Sequence, residues 1–132
     1  QVVTAETKVA KARVALFADL ARIRWKRETG GVTLPDGTSL PTDERTIGKL
    51  TGAVESLARG MISEPVAWKF PAGWADLSKA QIEAAAAAAS QHVQACFAAE
   101  REVSGQIAAL DDAELDRFDV TAAFDAALAA AD

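Results

Sequence analysis

Residues 30–62, GGVTLPDGTSLPTDERTIGKLTGAVESLARGMI, join a helix stop, a turn and a second helix start in one continuous run. Its period changes within a few residues. Gly30-Gly31 stops a preceding helix, because glycine enters left-handed conformations that other residues resist. Val32-Thr33-Leu34 and Thr38-Ser39-Leu40 then flank Pro35-Asp36-Gly37. Proline presets the turn and glycine accepts positive φ, so a short β-hairpin is predicted over 32–41. Thr42 or Asp43 is the next N-cap. Ile47, Leu50, Val54, Leu57 and Met61 follow at spacings of three and four, which predicts an amphipathic helix over about 44–62. Gly52 inside it costs about 1 kcal/mol relative to Ala and is read as a point of close approach by another backbone.

Upstream, residues 4–29 read as a helix. Val9, Leu16, Leu20 and Ile23 fall on one side, with Phe17 at the border. Val14 and Trp25 fall roughly opposite. Thr4 is the expected cap, and Arg22, Arg24, Lys26 and Arg27 crowd the last turns, where cations suit the carbonyl end. Downstream, Val66, Trp68 and Phe70 alternate on one face of a strand, Pro71-Ala72-Gly73 turns, and Trp74–Leu77 returns. Ser78-x-x-Gln81 is a capping box that opens a long helix. Its apolar stripe runs Ile82, Ala86, Ala89, Val93, Cys96, Val103, Ile107 and Leu110, with Gly105 a point of weakness. Asp111-Asp112 end it, a short turn is expected at 113–118, and Thr121 is expected to cap a last Ala-rich helix with Phe124 and Leu128 as its contacts.

The fold class predicted is α+β, mainly helical. It has three principal helices, two short antiparallel β-hairpins and an Ala-rich C-terminal helix. A single domain is expected over 1–132, with a core at about 4–110 and a helical extension at 111–132. The start at Gln1 rather than Met fits a fragment, a processed product or part of a longer chain.

Composition narrows the function classes. Of 132 residues 31 are Ala, against five Phe, three Trp and no Tyr, so the core is thin and its helix seams are Ala-lined. One Cys excludes an internal disulfide, and one His excludes a two-His metal motif. No unbroken apolar run is longer than 84–89, which is too short to span a membrane. Net charge is −5. Residues 1–70 carry +3 and residues 71–132 carry −8, which favours internal complementarity or head-to-tail association over nucleic acid.

Few residues point to chemistry. His92, Cys96 and Glu100 lie at i, i+4 and i+8 on one helix. All three are zinc-ligand types, but the ends are about 12 Å apart along the axis and cannot converge on one ion. The reading preferred is a core Cys, a border His and an internally paired Glu100. Glu100 breaks the apolar stripe and needs a donor, with Arg45 or the 22–27 cluster as candidates. Asp43 and Glu44 point about 100° apart, a poor catalytic pair. An N-cap at Asp43 and an ion pair with Arg45 explain them instead. No catalytic, cofactor-binding or metal residue is expected. The aromatic and apolar residues singled out for an interface are Val14, Trp25, Trp68 and Trp74, the three Trp being otherwise satellite core under the hairpins.

Trp25–Glu28, Gly30-Gly31-Val32 and Leu40-Pro41-Thr42-Asp43-Glu44-Arg45 resemble the first half of a small domain of unknown function from tailed-bacteriophage tail-fibre and tail-associated proteins. Val66-Ala67-Trp68-Lys69, Gly73-Trp74, Leu77, and His92–Phe97 with Glu100 resemble its second half. The similarity covers about residues 20–110. It implies a non-enzymatic part of a phage tail (fibre, baseplate or tail tip), assembled in the host cytoplasm and carried in the virion. The partners implied are other phage tail proteins, with self-association as a further option and no membrane. Three other classes are weighed: a tail-fibre assembly chaperone that leaves the particle, a small metal protein or enzyme using His92, Cys96 and Glu100, and, least favoured by the charge, nucleic-acid binding through Arg22–Arg27.

Overall fold

The computed structural model describes residues 4–131. The order is α1 (Ala5–Glu28), β1 (Val32–Thr33), β2 (Ser39–Leu40), α2 (Glu44–Ala58), β3 (Val66–Phe70), β4 (Gly73–Leu77), α3 (Lys79–Ala109), a 3-10 turn (Leu115–Arg117) and α4 (Val120–Ala131). β1 pairs with β2 and β3 with β4, each pair an antiparallel two-stranded ribbon. The class is α+β and mainly helical, as predicted. The chain divides into two compact units. One takes in the chain up to Lys26 and from Ala95 on; the other is Arg27–Gln94. α1 and α3 each contribute residues to both.

In the first unit, Leu20 of α1 is buried with Cys96, Ala99, Val103 and Ile107 of α3 and Val120 and Phe124 of α4. Leu16, Phe17, Ile23 and Leu128 pack against this cluster. The segment after 111, expected as an extension, thus supplies a fully buried Phe124. Asp119, not Thr121, caps α4: its carboxylate accepts the Ala122 amide at 3.0 Å. Asp111 and Glu114 each accept the other's amide at 3.0 Å, closing the turn after α3. Arg13 donates to the carbonyls of Ile107 and Leu110, satisfying the orphan acceptors at the end of α3. Gly105 neither breaks nor ends α3, which continues to Ala109.

In the second unit, Leu40, Leu50, Phe70, Leu77, Ile82, Ala85 and Ala89 form the core. The first hairpin turns as its sequence dictates: Gly37 donates to the Leu34 carbonyl and Leu34 to the Thr38 carbonyl, both at 2.8 Å. The Ser78–Gln81 capping box forms reciprocally at 2.8 and 3.2 Å.

α2 stops at Ala58, short of 62. Gly60 sits at φ 70°, Met61 donates to the Ser56 carbonyl at 2.8 Å and Gly60 to the Leu57 carbonyl at 3.2 Å. These are the two bonds of a Schellman ending. Met61 therefore leaves the apolar stripe and is 70% exposed. Gly52 meets no neighbour: a Cβ there would find nothing within 4 Å, so the expected close approach is absent. The close approach is at Gly31, with φ 90° and a virtual Cβ only 3.1 Å from the Leu40 carbonyl oxygen. Gly31→Ala combines left-handed strain with a backbone clash, and its expected cost is about 1–3 kcal/mol. A urea midpoint within error of wild type would contradict this reading.

Asp43, not Thr42, is the N-cap of α2; its carboxylate accepts the Thr46 amide and hydroxyl. The Thr46 hydroxyl, and then the Thr46 amide, hold the Asp43 carboxyl below its ordinary value of 3.8. A lowered carboxyl stabilises the fold fully above the unfolded value, and that contribution is lost as pH falls through the folded one. Asp43→Ala is expected to cost about 1 kcal/mol at pH 7. The gap between variant and wild type should narrow as pH falls below the ordinary carboxyl value of 3.8, which urea melts across pH 2–7 would measure.

Candidate docking surface

Of the polar residues singled out from the sequence, Asp43, His92 and Glu100 are engaged in structure. Glu100 is half-buried and accepts a 2.7 Å hydrogen bond from Arg24 Nε. The expected donor was Arg45 or the 22–27 cluster; it is Arg24, while Arg45 is exposed. The Arg24 guanidinium also lies 4.6 Å over the Phe97 ring, a cation–π contact within the first unit. His92 Nε2 donates to the Arg27 carbonyl at 2.8 Å, so that nitrogen carries the proton. The carbonyl belongs to the last turn of α1, where a histidine donor suits an orphan acceptor. Cys96 is fully buried in the first unit's core. Among the described residues no group of three or more His, Cys, Asp or Glu is placed to hold a metal ion, and no helix is long and apolar enough to cross a membrane.

The interface candidates separate into two kinds. Trp68 is half-buried and packs against the second unit's core, because its strand face is the one that carries Val66 and Phe70 inward. Trp74 stands on the other ribbon strand, paired across from Lys69, and is 73% exposed. The Lys69 ammonium lies 5.7 Å from its ring centre. A tryptophan left in water forgoes about 2–3 kcal/mol of burial, which makes it informative in a way a single exposed Leu is not. Val14 and Trp25 on α1 are 67% and 58% exposed.

Trp74 forms one wall of a groove of about 780 Å³ in the second unit. The tip of the first hairpin, with Leu34 and Asp36, lines another part. Ala84, Ala87 and Ala88 on α3 line it further. The short side chains of Ala84, Ala87 and Ala88 leave an open channel beside the ribbon, which Gln81 and Gln91 of the same helix also line. Asp36 and Asp76 are the ionisable residues along it. Asp36 accepts the Thr38 amide at 2.9 Å, which keeps its carboxyl below the ordinary range, so the groove is acidic at neutral pH. Sequence reasoning noticed Trp74 and the Ala run 84–89 but did not join them. The signal was the overlap of a Trp-bearing turn with a helix face that has no large residue.

A family model described as a domain of unknown function (DUF4376) matches residues 11–130. No curated protein and no solved structure matches the chain significantly.

Proposed function

This chain belongs to the DUF4376 family; we propose that it is a non-enzymatic docking module of a bacteriophage tail. The observation that carries the docking reading is Trp74, 73% exposed at the wall of an acidic, Ala-floored groove. Large aromatics in such positions are the residues that carry binding energy at protein interfaces. The polar residues that invited a chemical reading support the same view, since His92, Glu100 and Asp43 each hold a backbone or ion-pair contact that fixes the fold. The tail is proposed from the resemblance of residues 20–110 to a domain of tail-fibre and tail-associated proteins.

Quantitative mass spectrometry of purified phage particles tests this. A structural part is present in fixed stoichiometry. A chain found only in infected-cell extracts, bound to fibre protein and missing from particles, would replace this reading with the assembly chaperone. Trp74→Ala should leave the melting temperature within about 2 °C, as an exposed substitution does, while weakening docking about tenfold or more. Unchanged docking by the folded variant would remove the groove from the account.

A further inference from the structure

We propose that the groove of the second unit receives the outer face of α1 from a second copy of the chain. This rests on the docking reading above and names its partner.

The α1 face is built for such a role. Val14 and Trp25 are eleven residues apart, which at 100° per residue places them within about 20° of one line. Ala10 and Ala18 flank Val14 at about 40° to either side and are exposed. The face is therefore small side chains carrying two large apolar knobs. Lys11 and Arg22 border it on one side, and both are exposed. Arg22 pairs with Asp19 at 2.9 Å, an exposed contact that water and salt loosen.

The groove offers the complement. Its ionisable lining is acidic, Asp36 and Asp76, and faces the Lys11 and Arg22 border of the α1 face rather than the opposite border, which carries Glu6 and Glu28. Between Gln81 and Gln91, its Ala84–Ala88 wall has no side chain beyond a methyl, so a second helix crossing there can approach at the short end of the usual 8–10 Å interaxial range. Trp74 gives Val14 or Trp25 an aromatic wall to pack on. The two surfaces are different patches, so the contact is heterologous and each copy has one of each to offer. Charge steering makes it salt-dependent.

The experiment is sedimentation velocity on the intact chain over a range of concentrations. Wild type should self-associate, more weakly in high salt. Val14→Glu spoils the α1 face and Ala84→Glu spoils the groove; both sites are exposed helix positions that accept Glu without loss of helix. Each variant alone should associate at least tenfold more weakly. Mixed, they should form a 1:1 dimer and nothing larger, because one supplies the intact groove and the other the intact α1 face. Circular dichroism confirms that both are folded. Wild type that stays monomeric throughout, or folded variants that fail to pair on mixing, would overturn the proposal. The docking reading fails separately. A monomeric chain whose Ala84→Glu variant is lost from particles refutes the second copy as partner and leaves the groove as the docking site. A self-associating chain missing from particles supports the second copy and refutes the virion role.

Discussion

Phe124→Ala is expected to destabilise the first unit by about 3–5 kcal/mol, the range for truncating a buried Phe. The ring is fully buried among Leu20, Cys96, Ala99, Val103, Ile107 and Val120. Ala99 has no reach with which to fill the space, and Val103 and Val120 are stiff at χ1, so most of the cavity would remain. Small domains are stable by about 5–15 kcal/mol, so this one change removes a large share. Urea unfolding followed at 222 nm gives the free energy. Amide exchange in α4 shows where the loss falls, with protection of Ala127 and Leu128 collapsing first. Leu128→Ala, at a half-buried neighbour, is the control and should cost clearly less. A Phe124→Ala cost below about 1 kcal/mol, outside that range for a filled core site, would mean that α4 is not part of the core.

Thr42→Val is expected to cost the second unit about 2–4 kcal/mol, from two hydrogen bonds lost at about 1–3 kcal/mol each with partial access to water. Thr42 is 1% exposed, the one buried polar side chain among the described residues. Its hydroxyl donates to the Glu28 carbonyl at 2.6 Å and accepts the Gly31 amide at 2.9 Å. One side chain at the entry to α2 thus holds the exit of α1. Valine keeps the shape and removes both contacts, so the cost measures hydrogen bonding rather than packing. Thr42→Ser keeps the hydroxyl and should recover most of the stability. Equal losses in Val and Ser would show that the methyl, not the hydroxyl, matters.

The elements legible in the sequence were those with a local chemical cause. Pro35-Asp36-Gly37 forces a turn whatever surrounds it, and Ser78 with Gln81 caps a helix by reciprocal bonds that need no tertiary partner. Misreadings arose where two local signals competed. Met61 continued the apolar period, but Gly60 offered a left-handed ending and the ending won. Thr121 looked like a cap, yet Asp119 two residues earlier presents the stronger acceptor. Thr42 was read as a possible cap and is instead a buried tie between two loops, a role set by distant backbone groups that no local pattern encodes. For Glu100, the break in the apolar stripe correctly demanded a donor. Several cations were eligible, and Arg24 was selected by where the helices place it. The groove was the least legible feature. In a run of six identical alanines only the flanking Ile82 and Val93 set the phase: they place Ala89 in the core correctly, but they favour Ala86 over the more deeply buried Ala85 and say nothing of Ala84 and Ala87 lining the groove.

The groove beside Trp74 is proposed as the working surface of the chain. Its most direct test compares particles assembled with wild-type chain and with Trp74→Ala, after calorimetry has shown equal melting temperatures. Quantitative mass spectrometry then reads the copies per particle. The account predicts stoichiometric wild type and a depletion of the variant of about tenfold or more, the loss expected for a central aromatic anchor. Equal incorporation of the folded variant would contradict it.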